Sequence, residues 1–421
     1  MVRSSGISST RMKIIRRSGA ALHVILFGLL LVQTAASFSS TSITRTRRRT
    51  PYALQPFLRA APQRLDENVE GILYVNDRCI NCAACSNFAP TIFERGPKFK
   101  HVVYKQPTLQ NRDEIEEARA ALAACPVAAI RVESKVNDSE AELKSSLSIK
   151  PNGDLLFPRP IQPETDLGVF YLGHHNEGSF GAIPYLVRGK SPEGKQISVM
   201  VDTPRFCRSA VTAVKSLSPA GPDYLFLTHV DDTADHNKWV DEFPNMKRIF
   251  HEGDLGKHNW IGDVTLENVE VLLKGTMKDD MKELMCWDVD GNQIDQKQSI
   301  REEELMILHT PGHSPGSISL LFRPKSDSSH NNCKGVLFTG DTYSWTTRDG
   351  GHMSGFPRYG NDLIHQAQTL KLLGEISHMW DIIAPGHGHL RSYTKLTGEE
   401  NTVSKMKRDD IDIAVSELLS Y

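Results

Sequence analysis

Four turns in the second half of this chain place histidine or aspartate directly after an apolar run. The first is HVDDTADH, His229–His236, which follows Tyr224–Leu227 and packs four metal-binding side chains into eight residues. His313 stands in HTPGHSPGS, Asp341 in LFTGD after Val336–Phe338, and His387 in APGHGH after Ile382 and Ile383. Glycine or proline flanks each of the later three. A strand that stops on such a turn presents a ligand rigidly at the edge of a sheet. The fold therefore has to bring these strand ends to one place, and the expected product is a metal centre.

At 421 residues the chain exceeds one ordinary core, so two domains plus appendages are expected. Residues 1–65 hold eleven Lys or Arg and no Asp or Glu, which leaves 38 basic against 51 acidic residues in the remainder. An acidic body argues against nucleic acid as a partner. In the basic stretch, Arg11, Lys13, Arg16 and Arg17 precede the apolar run Ala20–Val32, and Thr34, Ala35 and Ala36 follow. Thirteen residues are short for a stable membrane span and fit a signal-peptide core. Beyond Ala36 come Ser37-Phe38 and an acid-free, Ser/Thr/Arg-rich stretch. The layout resembles the two-part presequences of algae with secondary plastids, and the plastid stroma is the expected location; secretion and a membrane anchor are the alternatives.

Cys79, Cys82 and Cys85 form C-x2-C-x2-C, and Cys125 precedes Pro126. Three thiolates on one tight loop and one from a distant Cys-Pro suit a cubane cluster. Four cysteines also suit zinc, though this spacing is unusual for it. Residues 68–134 resemble a bacterial-type ferredoxin. Where two-cluster ferredoxins carry a fourth motif cysteine, this chain has Ala89-Pro90, so the resemblance implies one [4Fe–4S] cluster on Cys79, Cys82, Cys85 and Cys125. The expected elements are strands 72–75, 99–104 and 129–132 with helices ending at Phe88 and over 113–123. Cys207, Cys286 and Cys333 lack ligand spacing and read as small buried hydrophobes. Residues 135–164 have no clear period and read as a linker.

From about 165 to 400, the order, spacing and flanks of the ligand turns resemble the metallo-β-lactamase fold. The expected class is α+β: a small ferredoxin-like domain followed by a four-layer αβ/βα domain over 165–421, with metals at one sheet edge. In members with two metals, His229, His313 and a second histidine bind one ion, and Asp235, His236 and His387 the other. Asp341 bridges, and Asp235 is also the candidate catalytic carboxylate. The family's H-x-H-x-D-H loop is irregular here. Asp231 stands in the second histidine's place and Asp235-His236 come two residues late, while alignment from the other end puts Asp231 and Thr233 in the histidine positions. Asp232 has no matching place and reads as a loop cap. Asp202 resembles the acidic residue that orients the loop, with an ordinary strand-ending Asp as the alternative.

A carboxylate at position 231 is a harder donor than imidazole and shifts preference from zinc towards iron or manganese; flavodiiron members of the family carry a carboxylate there. One or two divalent ions (Zn, Fe or Mn) are expected. His174, His175 and Asn176 are candidate cleft residues. Arg348, His352, Arg358 and Tyr359 are candidates for meeting an anionic small-molecule substrate, and His309 reads as a turn residue. The leading functional expectation is a metallohydrolase of ester or thioester bonds. The alternatives are a non-haem iron redox enzyme supplied by its own cluster, with an external redox partner, and a cluster-bearing sensor.

Overall fold

Side chains alternate across a strand, so a strand buried on both faces feeds two separate cores. The computed structural model describes residues 61–150, 155–191, 194–276, 282–296, 304–324, 333–394 and 400–421; the apolar run Ala20–Val32 and the rest of residues 1–60 lie outside them. One seven-stranded sheet runs in sequence order through Arg159–Pro160, Val169–Tyr171, Tyr185–Lys190, Gln196–Val201, Tyr224–Phe226, Lys247–His251 and Val271–Leu273. A second has the order Gln293–Ile294, Cys286–Trp287, Leu305–His309, Ile318–Phe322, Val336–Gly340, Ile382–Pro385, Arg391–Ser392.

Val199, Val201 and Phe226 of the first sheet meet Ile307, Leu320 and Phe338 of the second in one buried core. Their neighbours face outward. Met200 and Leu225 pack under the helices Arg208–Leu217 and His236–Glu242, through Val214 and Trp239. Met306, Leu308 and Leu337 pack under Leu363–Glu375 and Glu400–Ser420. The result is four layers, helix–sheet–sheet–helix. Gln196–Val201, Tyr224–Phe226 and Lys247–His251 are parallel, as are Val336–Gly340 and Ile382–Pro385. Their C-terminal ends therefore share an edge in each sheet, and the ligand turns hang from those ends.

The cysteine-bearing domain pairs Leu73–Val75 with Ile130–Val132 and Phe93–Arg95 with His101–Val103. Its helix Arg112–Ala124 starts at Asn111, whose Oδ1 accepts from the amides of Asp113 (3.2 Å) and Glu114 (3.3 Å), a standard N-cap. The expected linker at 135–164 turns out to be structured at both ends. Helix Ala141–Leu147 packs Leu143 and Leu147 on the cluster domain's core, and Arg159–Pro160 joins the first sheet. The apolar stretch 264–273 is divided: Asp263 caps a turn at Val264–Asn268, and only Val271–Leu273 pairs.

The two halves share a buried seam. Phe88 meets Phe157 edge-on (ring centroids 5.1 Å) and Tyr171 likewise (5.3 Å). The His175 amide donates to Ala124 O (3.1 Å), and the Arg205 guanidinium donates to Pro126 O (3.1 Å). At Gly181 (φ +86°) an added Cβ would lie 2.6 Å from Cys82 Cβ, so the close approach requires glycine. Among the described residues no helix is long and apolar enough to cross a membrane. Phe157→Ala is expected to cost about 3–5 kcal/mol in denaturant unfolding; a cost below about 1 kcal/mol would show that the seam contributes little packing.

Candidate metal centre

The strand ends place the polar turns one by one. Asp202 follows Gln196–Val201 in the left-handed region (φ +52°) and is buried. Its carboxylate accepts from the Thr228 amide (2.9 Å) and hydroxyl (3.0 Å). Having given its proton to Asp202, the Thr228 hydroxyl accepts from His229 Nδ1 at 3.0 Å. This fixes the tautomer of His229 and leaves Nε2 with its lone pair free, and that buried atom has no hydrogen-bond partner. Thr228 itself needs Gly340, where an added Cβ would stand 2.6 Å from Thr228 Oγ1.

His229, Asp231 and His313 form a first group whose donor atoms all lie within 4.8 Å of one another. Asp231 Oδ2 is 3.8 Å from His229 Nε2 and 3.7 Å from His313 Nε2. These separations are too long for hydrogen bonds and suit donors that share a cation. Asp232, Asp341 and His387 form a second group within the same limit. Asp341 Oδ2 stands between the two groups, 3.8 Å from His313 Nε2 and 3.6 Å from His387 Nε2. Both oxygens of Asp232, both nitrogens of His313 and Oδ1 of Asp341 are buried with no hydrogen-bond partner. Unpartnered buried polar atoms are costly, and one or two cations would satisfy His313 Nε2 and the carboxylate oxygens, leaving His313 Nδ1 outside that account.

The electrostatics agree. Burial, reinforced by repulsion from His313, pushes His229 down to about 4, so it is a neutral imidazole available for coordination. Burial raises Asp232 well above the ordinary carboxylate range, helped by the neighbouring Asp341 and Asp202. Burial also opposes ionisation of Asp231, yet His313, His229 and the Trp260 indole, which donates at 2.5 Å, hold it at about 2.

Asp235 and His236 are not part of this arrangement. The turn Val230–Asp232 winds tightly, Thr233 and Ala234 carry the chain away, and Asp235 (φ +64°) starts a helix on the outer face. Asp235 accepts from Asn176 (2.9 Å), the Phe206 amide (3.0 Å) and Lys238 (2.6 Å). His236 faces Asp263 (3.0 Å) and Arg248 (3.2 Å). Asp232, expected only to cap the loop, takes the place among the donors instead. The sign available in the sequence was the doubled acid Asp231-Asp232 directly after the His229 turn.

His174, His175 and Asn176 belong to the seam and to Asp235 rather than to the cavity: His175 donates through Nδ1 to Gly181 O (2.8 Å) and meets Phe88 edge-on. His309 bonds to Pro315 O (3.1 Å) and stacks on His251. Asp254, passed over by the sequence reading, ties the two loops together. It accepts from the Val230 amide (2.9 Å), the Ser314 hydroxyl (2.7 Å) and the Gly316 amide (2.6 Å).

Both donor groups open into a cavity of about 540 Å³, a size ordinary for a small-molecule site. Arg348, Arg358 and Tyr359 line it, and so do Ile80, Cys82 and Arg95 from the cysteine-bearing domain. Cys79, Cys82, Cys85 and Cys125 surround a separate small cavity. Burial raises Cys82 to about 12 and Cys85 well above the ordinary thiol range. Thiols so placed ionise only against strong positive charge, which cluster irons supply. Cys207, Cys286 and Cys333 lie apart from this set; Cys286 is buried and the other two are half-buried.

Residues 75–132 match the family model described as the 4Fe-4S single cluster domain of Ferredoxin I. No curated protein matches the chain. Among solved structures the chain is similar to the metallo-β-lactamase DIM-1 exposed to ceftazidime, at 15% identity, over 61% of this chain and 97% of that one, with a TM-score of 0.36. It is also similar to a metallo-β-lactamase from Pontibacter korlensis (12%, 61% and 97%, 0.36) and to a quorum-quenching N-acyl homoserine lactone hydrolase (21%, 49% and 79%, 0.33).

The two alignments of the loop separate cleanly by metal analysis. Asp232→Asn is expected to weaken metal retention by at least about ten-fold, a cost seen even for groups that only support ligands. Asp235→Asn should leave metal content unchanged and lower thermal stability. Equal metal loss from both variants would refute this donor assignment.

Proposed function

We propose that the chain is a metal-dependent hydrolase of a small molecule, acting at an ester- or thioester-type carbonyl. The observation that carries this reading is the meeting of two three-donor groups beside one cavity, which Asp231, His313, Asp341 and His387 line. A divalent ion pair held by these two groups would supply a water acidified towards neutral pH and would polarise the carbonyl. This chain's residues set the stage for that chemistry. His229 offers a neutral imidazole, aimed by the Asp202–Thr228 contact, whereas at His313 burial is outweighed by Asp231 and Asp341, which raise its pKa, so His313 would release its proton on binding an ion. Asp341, between the histidines of both groups, is the candidate bridging carboxylate. Ile80, Phe180 and Phe356 line the cavity with apolar surface that excludes water around the reacting carbonyl.

A second reading is supported by one specific feature: Cys82 lines the same cavity as His313, Asp341 and His387. A cluster on that loop would border the substrate, which suits one-electron supply to an iron-bearing site, and Asp231 in an imidazole's place favours iron.

On anaerobically purified protein, zinc-, iron- and manganese-loaded samples should hydrolyse members of a panel of thioesters, lactones and phosphodiesters. Asp341→Asn should lower kcat by at least about a hundred-fold with cluster absorbance retained. No turnover with any metal removes the hydrolase reading, and zinc as the only native metal of the second domain removes the redox one. The basic, acid-free amino terminus supports plastid delivery. A fluorescent protein fused behind residues 1–65 should accumulate in the plastid, and secretion of the fusion would exclude it.

A further inference from the structure

The wall of the cavity opposite the metal-domain loops comes from the cysteine-bearing domain, and it contains a charge. Arg95 ends the strand Phe93–Arg95 and pairs with His101 across the hairpin. Its guanidinium lies over the Phe99 ring at 5.1 Å and approaches Thr347 Oγ1 at 3.5 Å, so it reaches across the seam to the loop that follows Asp341. Arg348 and Arg358 line the same cavity, the latter set over the Tyr359 ring at 5.7 Å. Among the described residues none of these three arginines has a carboxylate within ion-pair distance. Partial burial and the charge of Arg348 lower the Arg95 pKa, with Asp349 and Tyr359 acting in the other direction.

Four acids also line the cavity: Asp231 and Asp341 among the metal donors, and Glu177 and Glu417 away from them. Glu417 is engaged elsewhere, accepting from Ser354 (2.6 Å) and facing His352. With Asp231 and Asp341 committed to the donor groups and Glu417 to Ser354, three guanidinium groups without ion-pair partners around one opening form a set that an anion would complete. Ile80, Phe180 and Phe356 add apolar surface to this otherwise mixed lining.

We propose that the cluster domain is a substrate-recognition element of the metal site: Arg95, with Arg348 and Arg358, binds the anionic group of a substrate whose apolar body lies against Ile80, Phe180 and Phe356. This rests on the hydrolase reading for the reaction, though not for the binding. It gives the fusion a role independent of electron transfer, because the cluster shapes the loop and strand that carry Arg95 into the cavity. The chemistry names a carboxylate or a phosphate group on a partly apolar small molecule.

The test is calorimetry on the full, cluster-loaded chain with octanoate, octyl phosphate and octanamide, each measured with zinc present and after zinc removal. Both anions should bind the zinc-free protein at least about ten-fold more tightly than octanamide, the advantage of a charge-assisted contact. Octanoate or octyl phosphate will emerge as the better ligand and so identify the group. Arg95→Ala should erase the advantage without changing octanamide binding. Arg348→Ala, on the other domain, serves the same purpose if Arg95→Ala loses its cluster. Equal binding of all three probes, or anion binding that vanishes with zinc and ignores both variants, overturns the proposal. Absence of turnover on the ester panel would leave these binding results intact, whereas turnover with a KM unchanged in Arg95→Ala would overturn this inference alone.

Discussion

Aspartates 202, 231, 232 and 341 are brought together at the ends of parallel and antiparallel strands in a largely buried space, and the rest of the site follows from how that charge is managed. Like charges in a low-dielectric region cannot all stay ionised. Asp202 meets the problem by rising to about 8, chiefly through burial and partly through Asp341, even with two donors from Thr228 turned towards it. Asp232 also rises well above the ordinary carboxylate range, chiefly through burial, and its oxygens have no hydrogen-bond donors. Asp231 stays low because two imidazoles and an indole surround it. A divalent ion at each group would reverse the balance for the acids that touch it, as bound cations are often the largest local charges in a site. The fold thus holds its donors apart and unsatisfied.

The supporting shell holds that arrangement in place. Asp254 bridges the His229 turn and the His313 turn through three accepted hydrogen bonds, and its raised pKa of about 6 reflects the burial that this position demands. Asp202 and Asp254 therefore serve the same end from the strands on either side of Tyr224–Phe226, one aiming an imidazole and the other fixing the spacing between loops. Gly340 and Gly386 leave the room these contacts need, since an added Cβ would strike Thr228 at the first and Asp341 Oδ1 at the second.

Much of this was legible in the sequence, for a physical reason. Apolar runs such as Val336–Phe338 and Ile197–Val201 are long enough to read as buried strands, and the turns that end them carry unusual polar residues. The positions of His313, Asp341 and His387 on strand-ending turns follow from that pattern, whereas the four-layer order came from the family resemblance. What escaped were features set by backbone winding. Whether Asp232 or Asp235 points inward depends on the tight Val230–Asp232 turn and on a left-handed Asp235, and a spacing rule based on an extended H-x-H-x-D-H loop has no term for either. The strand Lys247–His251 was missed because only a short run, Ile249-Phe250, marks it, flanked by charge at Lys247 and Arg248. The structured ends of 135–164 escaped because their anchors, Leu147 and Phe157, are single residues buried by a partner domain rather than by their own neighbours.

That last failure bears on why the two halves occur in one chain. A flexible tether would let a cluster domain deliver electrons to many partners, and it would have no reason to bury Phe157, to bond His175 to Ala124, or to require glycine opposite Cys82. Contacts of this kind fix the cysteine loop against the metal domain within side-chain distances. Ser86, next to Cys85, bonds to His389 at 2.9 Å, and His389 lies two residues beyond the candidate ligand His387. Any change in the cysteine loop is therefore felt one short segment from the metal donors. A cluster rigidly built into the wall of a cavity is at least a structural part of that cavity, whether or not an electron ever leaves it.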